Sequence, residues 1–267
     1  MRLVYLGTPD MAVPPLEALL EAGHDVALVI TGIDKRRGRG SETSPSPVKS
    51  ASIRLGVPVS HVVDDVLDVG ADLGVVVAYG RIIKPHVLTQ LPMINLHFSL
   101  LPRWRGAAPV ERALLAGDAM TGVCVMAVEE GLDTGGVYAR VEVPIGDDAT
   151  AVELRAELVG VGTRLLIDTL AAALGEPEPQ SGETTYAAKI DAEDVHIDWS
   201  LPTAQIHRMV RLGGAWTTFR GARFKIHSAD RIGDEFVPTI VQPEGRPRMS
   251  YDDWRNGARP NPGERFE

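Results

Sequence analysis

The chain carries one cysteine in 267 residues, Cys124. That excludes an internal disulfide framework and a cysteine-built metal cluster. Cys124 stands inside the apolar run Gly122–Met126, where a buried structural thiol is expected rather than a nucleophile. No grouping of metal-ligand residues is apparent, so no metal is expected. Long hydrophobic runs are also missing: no stretch reaches the roughly 18 apolar residues that a membrane span requires. The apolar start, Met1–Leu6, meets Gly7-Thr8-Pro9 too soon to be a secretory signal and reads as a buried first strand. A cytoplasmic protein without membrane attachment is the expectation. The turn Gly7-Thr8-Pro9-Asp10 after that strand lacks the Gly-x-Gly-x-x-Gly spacing, which argues against dinucleotide binding. Internal repeats and low-complexity segments are absent. With 44% hydrophobic and 24% charged residues, the composition is that of an ordinary globular protein.

Positive charge is scarce overall, with a formal net charge of −9, but it is unevenly placed. Residues 1–50 are balanced, residues 51–200 carry a net −12, and residues 201–267 a net +3. Four basic side chains, Lys35, Arg36, Arg37 and Arg39, fall within five positions. Such a cluster is either a solvated loop or a phosphate contact. An acidic middle flanked by basic features admits a polyanion along one path only.

What is present is alternation. Residues 2–6 are an apolar strand, Pro14–Ala22 has helical spacing, and residues 25–31 are again apolar and β-branched. The pattern continues with a helix at Val48–Leu55, a short strand at Val57–Val59, and strands at Leu73–Tyr79 and Met93–His97. Continuous apolar strands separated by helices predict an α/β domain built on an open, mostly parallel sheet with helices on both faces. Ligands of such sheets sit at the carboxyl ends of the strands. Two further strands are expected at Gly122–Val128 and Val137–Val143. A long helix then starts at the capping box Thr150-Ala-Val-Glu153, with Leu154, Leu158, Val161 and Leu165 on one face. Residues 175–190 read as a linker between a catalytic domain at 1–174 and a small β-rich domain at 191–267. In the latter, a helix is expected at Pro202–Leu212, presenting Ile206, Met209 and Val210. Short strands are expected at Trp216–Phe219 and Phe224–Ser228.

The chemistry concentrates in Ile94–Pro109. Asn95 and His97, two apart on a strand, leave the same face at its carboxyl end. An amide donor and an imidazole aimed at one point suit a developing oxyanion and a proton in transit. Glu130-Gly-Leu-Asp133-Thr-Gly-Gly136 is a tight loop after a strand. It is either a simple turn or a carboxylate carried into a cleft between glycines.

The string Ser99-Leu-Leu-Pro-Arg-Trp-Arg-Gly-Ala-Ala-Pro109 resembles the signature of methionyl-tRNA formyltransferases. So do Gly7-Thr-Pro-Asp10, Gly38-Arg-Gly40 with Pro45-Ser-Pro-Val-Lys49, Val77-Ala-Tyr-Gly80 and Gly131-Leu-Asp-Thr-Gly135. Thr185-Tyr-Ala-Ala-Lys-Ile190, Ile197-Asp-Trp-Ser200 and Gln242-Pro-Glu-Gly245 follow in the family's order. The resemblance implies the formyltransferase fold and an abridged β-barrel after it. It implies 10-formyltetrahydrofolate as formyl donor and initiator methionyl-tRNA as acceptor; a monomer is expected. It maps a catalytic trio onto Asn95, His97 and Asp133. A folate site falls on Tyr79, Gly80, Ser99, Leu100, Leu101 and Pro102. A tRNA-contacting set falls on Lys35, Arg36, Arg37, Arg39, Arg103 and Arg105. Three departures accompany it. Glu42 takes charge away from the basic loop. Only residues 229–241 separate Phe224–Ser228 from Gln242–Gly245. Arg211–Trp216 lacks a proline-rich turn. The shortened second domain leaves a folate-dependent N-formyltransferase of nucleotide-linked amino sugars as the competing reading.

Overall fold

The computed structural model describes residues 1–36 and 43–267. In chain order these form β1 (Arg2–Gly7), α1 (Val13–Glu21), β2 (Asp25–Ile30), β3 (Lys35–Arg36), β4 (Thr43–Ser44), α2 (Pro47–Leu55), β5 (Val59–Ser60), β6 (Leu73–Val77), α3 (Pro85–Leu88), β7 (Met93–His97) and β8 (Arg105–Gly106). There follow α4 (Pro109–Ala116), β9 (Met120–Ala127), β10 (Val137–Pro144), α5 (Ala151–Ala171), β11 (Tyr186–Ala187), α6 (Thr203–Leu212), β12 (Trp216–Phe219), β13 (Ala222–Ile232), β14 (Glu235–Pro243), β15 (Met249–Ser250) and α7 (Tyr251–Ala258). They divide into two compact units. The first comprises Met1–Pro109, Met120–Pro144 and Arg155–Ala187; the second comprises Val110–Ala119, Ile145–Leu154 and Ala188–Glu267.

The first unit is built on a seven-stranded sheet in the order β10-β9-β7-β6-β1-β2-β5. The five strands from β5 to β7 are parallel, and β9 and β10 form the antiparallel end of the sheet. Leu3, Val4, Tyr5 and Leu6 of the central β1 are fully buried, as expected of a strand covered on both faces. One face packs Val4, Leu6, Ile30, Val76 and Tyr79 against Val66 and Val87. On the other, a Cβ placed at Gly162 of α5 would lie 3.0 Å from Val123 of β9 and 3.5 Å from Leu96 of β7, so the helix approaches the sheet closely there. That approach fixes the helix's buried stripe at Leu154, Leu158, Leu166 and Leu170. Val161 and Leu165, expected on this face, are only half-buried. The capping box at its start is formed: the Thr150 N–H and hydroxyl both donate to Glu153 Oε2, at 2.9 and 2.7 Å, and Glu153 N donates back to Thr150 Oγ1.

The second unit carries an antiparallel sheet in the linear order β12-β13-β14-β15. Strand β13 runs past Ser228 to Ile232 and pairs with β14 through the tight turn Gly233-Asp234. Ile206, Met209 and Val210 of α6 are buried as their spacing predicts. Ile206 and Val210 join Phe224, Ile226, Val241 and Trp254 in one core. Guanidinium groups hold the unit's separate chain segments together. Arg112 of α4 forms a bidentate pair with Asp194, at 2.6 and 2.8 Å, and caps the carbonyls of Ala188 and Lys189. Arg208 and Arg211 of α6 donate to the carbonyls of Leu115, Ala149 and Gly146. Among the described residues, no helix is long and apolar enough to cross a membrane.

Candidate active site

The carboxyl ends of β6 and β7 lie side by side, since Val76 pairs with Asn95 in parallel register. Alternation along β7 turns Ile94 and Leu96 into the core and leaves Asn95 and His97 on the opposite face. Antiparallel pairing sets His97 opposite Cys124 of β9, whose following loop carries Asp133 back over the same face. Three residues distant in the sequence therefore meet. Asn95 Nδ2 donates to Asp133 Oδ1 at 3.4 Å, and His97 Nδ1 lies 3.6 Å from Asp133 Oδ2. The His97 side chain is 5% exposed and that of Asp133 14%, so the pair works in a largely desolvated setting. The backbone N–H of Gly106 also donates to the carboxylate, 2.8 Å from Asp133 Oδ2.

The other ring nitrogen defines the tautomer. His97 Nε2 is 2.9 Å from the carbonyl oxygen of Trp104, which can only accept. The Nε2 proton is thereby committed, and Nδ1 faces the carboxylate with a lone pair in neutral imidazole or a proton in imidazolium. The carbonyl at 2.9 Å, rather than the carboxylate at 3.6 Å, is what orients the ring.

The local backbone is unusual where these groups meet. Asp133 and Trp104, neither of them glycine, have positive φ angles of 51° and 63°, as does Ala78 at 47° beyond the end of β6. Non-glycine residues hold such angles when surrounding contacts impose them. Glycine is required beside Asp133: a Cβ on Gly135 would fall 2.0 Å from the Ala127 carbonyl oxygen.

The loop after β7 holds itself in place. The fully buried Ser99 donates through Oγ to the Arg103 carbonyl at 2.6 Å, Arg103 N closes a turn on Leu100, and the Leu101–Pro102 peptide is cis. Leu101 packs with Cys124, Met126 and Val137, so Cys124 is a core residue whose thiol pKa burial raises. Ser99 and Leu101 shape this loop from inside, and Leu100 is half-buried. Tyr79 is buried beside Gly80 (φ 72°) past the end of β6. Its hydroxyl closes no hydrogen bond of normal geometry, and burial raises its pKa against the nearby Arg81 charge.

The basic residues are separated into groups. Lys35 and Arg36 are exposed on the short β3–β4 ladder; Arg37 and Arg39 lie outside the described residues. The base of this loop is anchored by the Thr31–Ser46 hydroxyl pair at 2.7 Å and by the Lys49–Asp34 ion pair at 2.8 Å. Ser46 also caps α2 through Lys49 N. Arg103 lies over the Trp104 ring at 4.5 Å, and Arg105 is bonded to Gln180.

Sequence reasoning passes over the stretch that surrounds this cluster. Residues 178–187 are laced into the first unit: Glu178 bridges Val137, Thr185 Oγ1 accepts from Trp104 N at 2.9 Å, and β11 pairs in parallel with β8. The motif at Thr185–Ile190 is a signal for its carboxyl end, whereas Gln180 carries none. Among the described residues, no group of three or more His, Cys, Asp or Glu side chains is placed to hold a metal ion.

A family model described as formyl transferase matches residues 1–170, and one described as formyl transferase, C-terminal domain, matches residues 189–238. The methionyl-tRNA formyltransferase of Heliobacterium modesticaldum is 45% identical over 262 residues, covering 92% of this chain and 82% of its own. That of Symbiobacterium thermophilum is 39% identical over 311 aligned positions, covering 100% of this chain and 95% of its own. That alignment exceeds the chain's 267 residues, so the relative has segments without a counterpart here. The solved methionyl-tRNA formyltransferase from Clostridium thermocellum shares the fold, with a TM-score of 0.67, 16% identity and coverage of 91% of this chain and 98% of its own.

Proposed function

The chain belongs to the formyl transferase family, and from that premise we propose that it transfers the formyl group of 10-formyltetrahydrofolate to the α-amine of methionyl initiator tRNA, with Asn95, His97 and Asp133 at the reacting atoms. The observation that carries the reading is the convergence of an amide, an imidazole and a carboxylate on one desolvated point at the strand ends. Relatives at 39–45% identity named for this activity support the acceptor.

The amine attacks as the free base, and an α-amino group titrates near pH 7.7–8.0 in the reference state, about neutrality. Nitrogen bonds to the formyl carbon and negative charge develops on the formyl oxygen. Asn95 Nδ2–H and the His97 imidazole stabilise that oxygen. The His97 ring is held through its Nε2–H by the Trp104 carbonyl, so Nδ1, beside Asp133, is the atom it presents to the reacting groups. Asp133 then takes the amine proton, directly or through water, and the bond from the formyl carbon to the folate nitrogen breaks as a proton from the same carboxyl or water passes to that nitrogen. The buried Tyr79 ring and the loop Ser99–Pro102 flank the same strand ends and supply a wall for the folate. Lys35, Arg36, Arg37 and Arg39, together with Arg103 and Arg105, are assigned to the tRNA phosphates.

The test is a formyl-transfer assay with 10-formyltetrahydrofolate, in which methionyl initiator tRNA and a panel of nucleotide-linked amino sugars are offered in parallel. Transfer to the tRNA is expected, with His97→Ala lowering kcat on the order of 10²- to 10³-fold. Transfer to a sugar alone would replace the acceptor in this reading. An undiminished His97→Ala enzyme would remove the trio from it.

A further inference from the structure

Gln180 makes an unusually complete set of contacts for a half-buried side chain. Its Nε2 donates to two main-chain carbonyls, Asp133 and Gly135, at 2.8 Å each. Its Oε1 accepts from both Nε and a terminal nitrogen of Arg105, at 3.1 and 2.6 Å. A primary amide has two N–H donors and two lone pairs, and here all four are used.

The partners matter as much as the number. The Asp133 carbonyl direction follows from that residue's backbone angles, and Asp133 stands at φ 51°, where a non-glycine residue stays only if held. Gln180 holds that carbonyl on one side. On the other, the Asp133 carboxylate accepts from Gly106 N, and Gly106 follows directly on Arg105, which Gln180 also grips. The hydrogen bonds thus close a ring, from the Asp133 carboxylate through Gly106 and Arg105 to Gln180 and back to the Asp133 carbonyl. Five residues on, Thr185 accepts from Trp104 N, and Trp104 is the residue whose carbonyl orients His97. One segment therefore braces both halves of the imidazole–carboxylate pair.

We propose that Gln180 is a positioning residue that holds Asp133 in its working conformation, with the hydrogen-bonded ring through Arg105 and Gly106 as the device. The proposal rests on the assignment of Asp133 to the reaction. It predicts a loss in turnover with binding of the formyl donor unchanged, since Gln180 reaches the reacting atoms only through Asp133, while its grip on Arg105 bears only on the tRNA.

Two variants separate this from a contribution to stability alone. Gln180→Glu keeps an acceptor for Arg105 but has no N–H and sets a charge against two carbonyl oxygens. Gln180→Met keeps the length and removes every hydrogen bond. Each is measured for kcat, for KM toward the formyl donor and toward methionyl initiator tRNA, and for its melting midpoint, with Asp133→Ala alongside. The expected result is a kcat lowered on the order of 10- to 100-fold in both variants. KM toward the formyl donor should stay within about twofold of the parent, and folding should be retained at the assay temperature. A kcat within about twofold of the parent in Gln180→Met, with Asp133→Ala inactive, overturns the proposal and leaves the assignment of Asp133 standing. A rise in KM with kcat unchanged overturns it as well, since Gln180 would then be a binding residue. Full activity in Asp133→Ala sinks the assignment of Asp133 itself.

Discussion

At the scale of single residues, the site depends on backbone as much as on side chains. Asp133 reaches His97 only because the turn that carries it folds tightly under β9. The tightest point of that turn is Gly135, whose missing side chain leaves room for the Ala127 carbonyl. A methyl group 2.0 Å from a backbone oxygen cannot be absorbed by a rotamer change, so the turn itself must move. Gly135→Ala is therefore expected to cost about 1–3 kcal/mol in stability. The same change should lower kcat by more than that loss explains, because the displaced residue is a neighbour of Asp133. Denaturant unfolding and steady-state rates measured on one preparation give both numbers. A destabilised enzyme of parental kcat would show that the turn does not set the position of the carboxylate. The same comparison explains what can be read from sequence at this scale. Asn95 and His97 share a strand face by simple alternation, and glycines mark Asp133 as a loop carboxylate. Gln180 leaves no such trace. Two of its partners are main-chain carbonyls, and it lies in a stretch of Gly, Pro, Glu and Ser that reads as a connection.

Among the elements, those with strong periodicity are legible to within a few residues. Strand β7 has the bounds its apolar run predicts, and α6 and the capping box of α5 form as their residue types require. Two helices, α4 and α7, leave no readable pattern. Each spans eight residues, too few turns for a helical period to stand out, and α4 follows directly on the turn-like run Gly106–Ala108. Strand β14 is hidden for another reason. Pro238 interrupts its apolar run, and the charged residues around the Gly233-Asp234 turn mask the hairpin. Where elements pack, a titratable group makes the contact measurable. His207 of α6 is 5% exposed and its Nε2 donates to the Ala229 carbonyl of β13 at 3.1 Å. Burial holds its pKa below the ordinary 6.5, with the charges of Arg211 and Arg231 acting in the same direction and Asp148 and the Ala229 bond opposing them. Because the folded value is depressed, the unfolded chain takes up the proton first as pH falls. Stability is then complete above pH 6.5 and declines as pH drops toward the folded value. His207→Gln keeps a donor for Ala229 without the titration. Urea midpoints at about pH 7.5 and about pH 5.5, on either side of the unfolded value, should differ for the parent, with a smaller difference in this variant. An equal drop in both would assign the pH dependence to other groups.

For the whole molecule, the difficulty is charge. A chain of net −9 has to attract tRNA, and most of its surplus acid lies in residues 51–200, which contribute most of the catalytic strands. Long-range attraction is then weak or adverse, and affinity has to come from short-range phosphate contacts at a few basic places. The exposed pair Lys35 and Arg36 is one such place, held on a ladder whose base is anchored by Ser46, Thr31, Asp34 and Lys49. If Lys35 and Arg36 each neutralise a phosphate, binding of initiator tRNA weakens with salt along a line whose slope counts them. The slope should then become shallower by about 0.9 for each residue removed on duplex nucleic acid, or about 0.7 on a single strand. The measurement is the Kd for initiator tRNA over roughly 50 to 300 mM KCl, for the parent and for Lys35→Ala/Arg36→Ala. A slope reduced by about 1.4–1.8 in the double variant, with KM toward the formyl donor unchanged, places both cations on phosphates. A parallel line of lower affinity would mean that the substitutions act on the shape of the loop. An unshifted line would move the RNA contact to other basic residues, with Arg103 and Arg105 the next to remove.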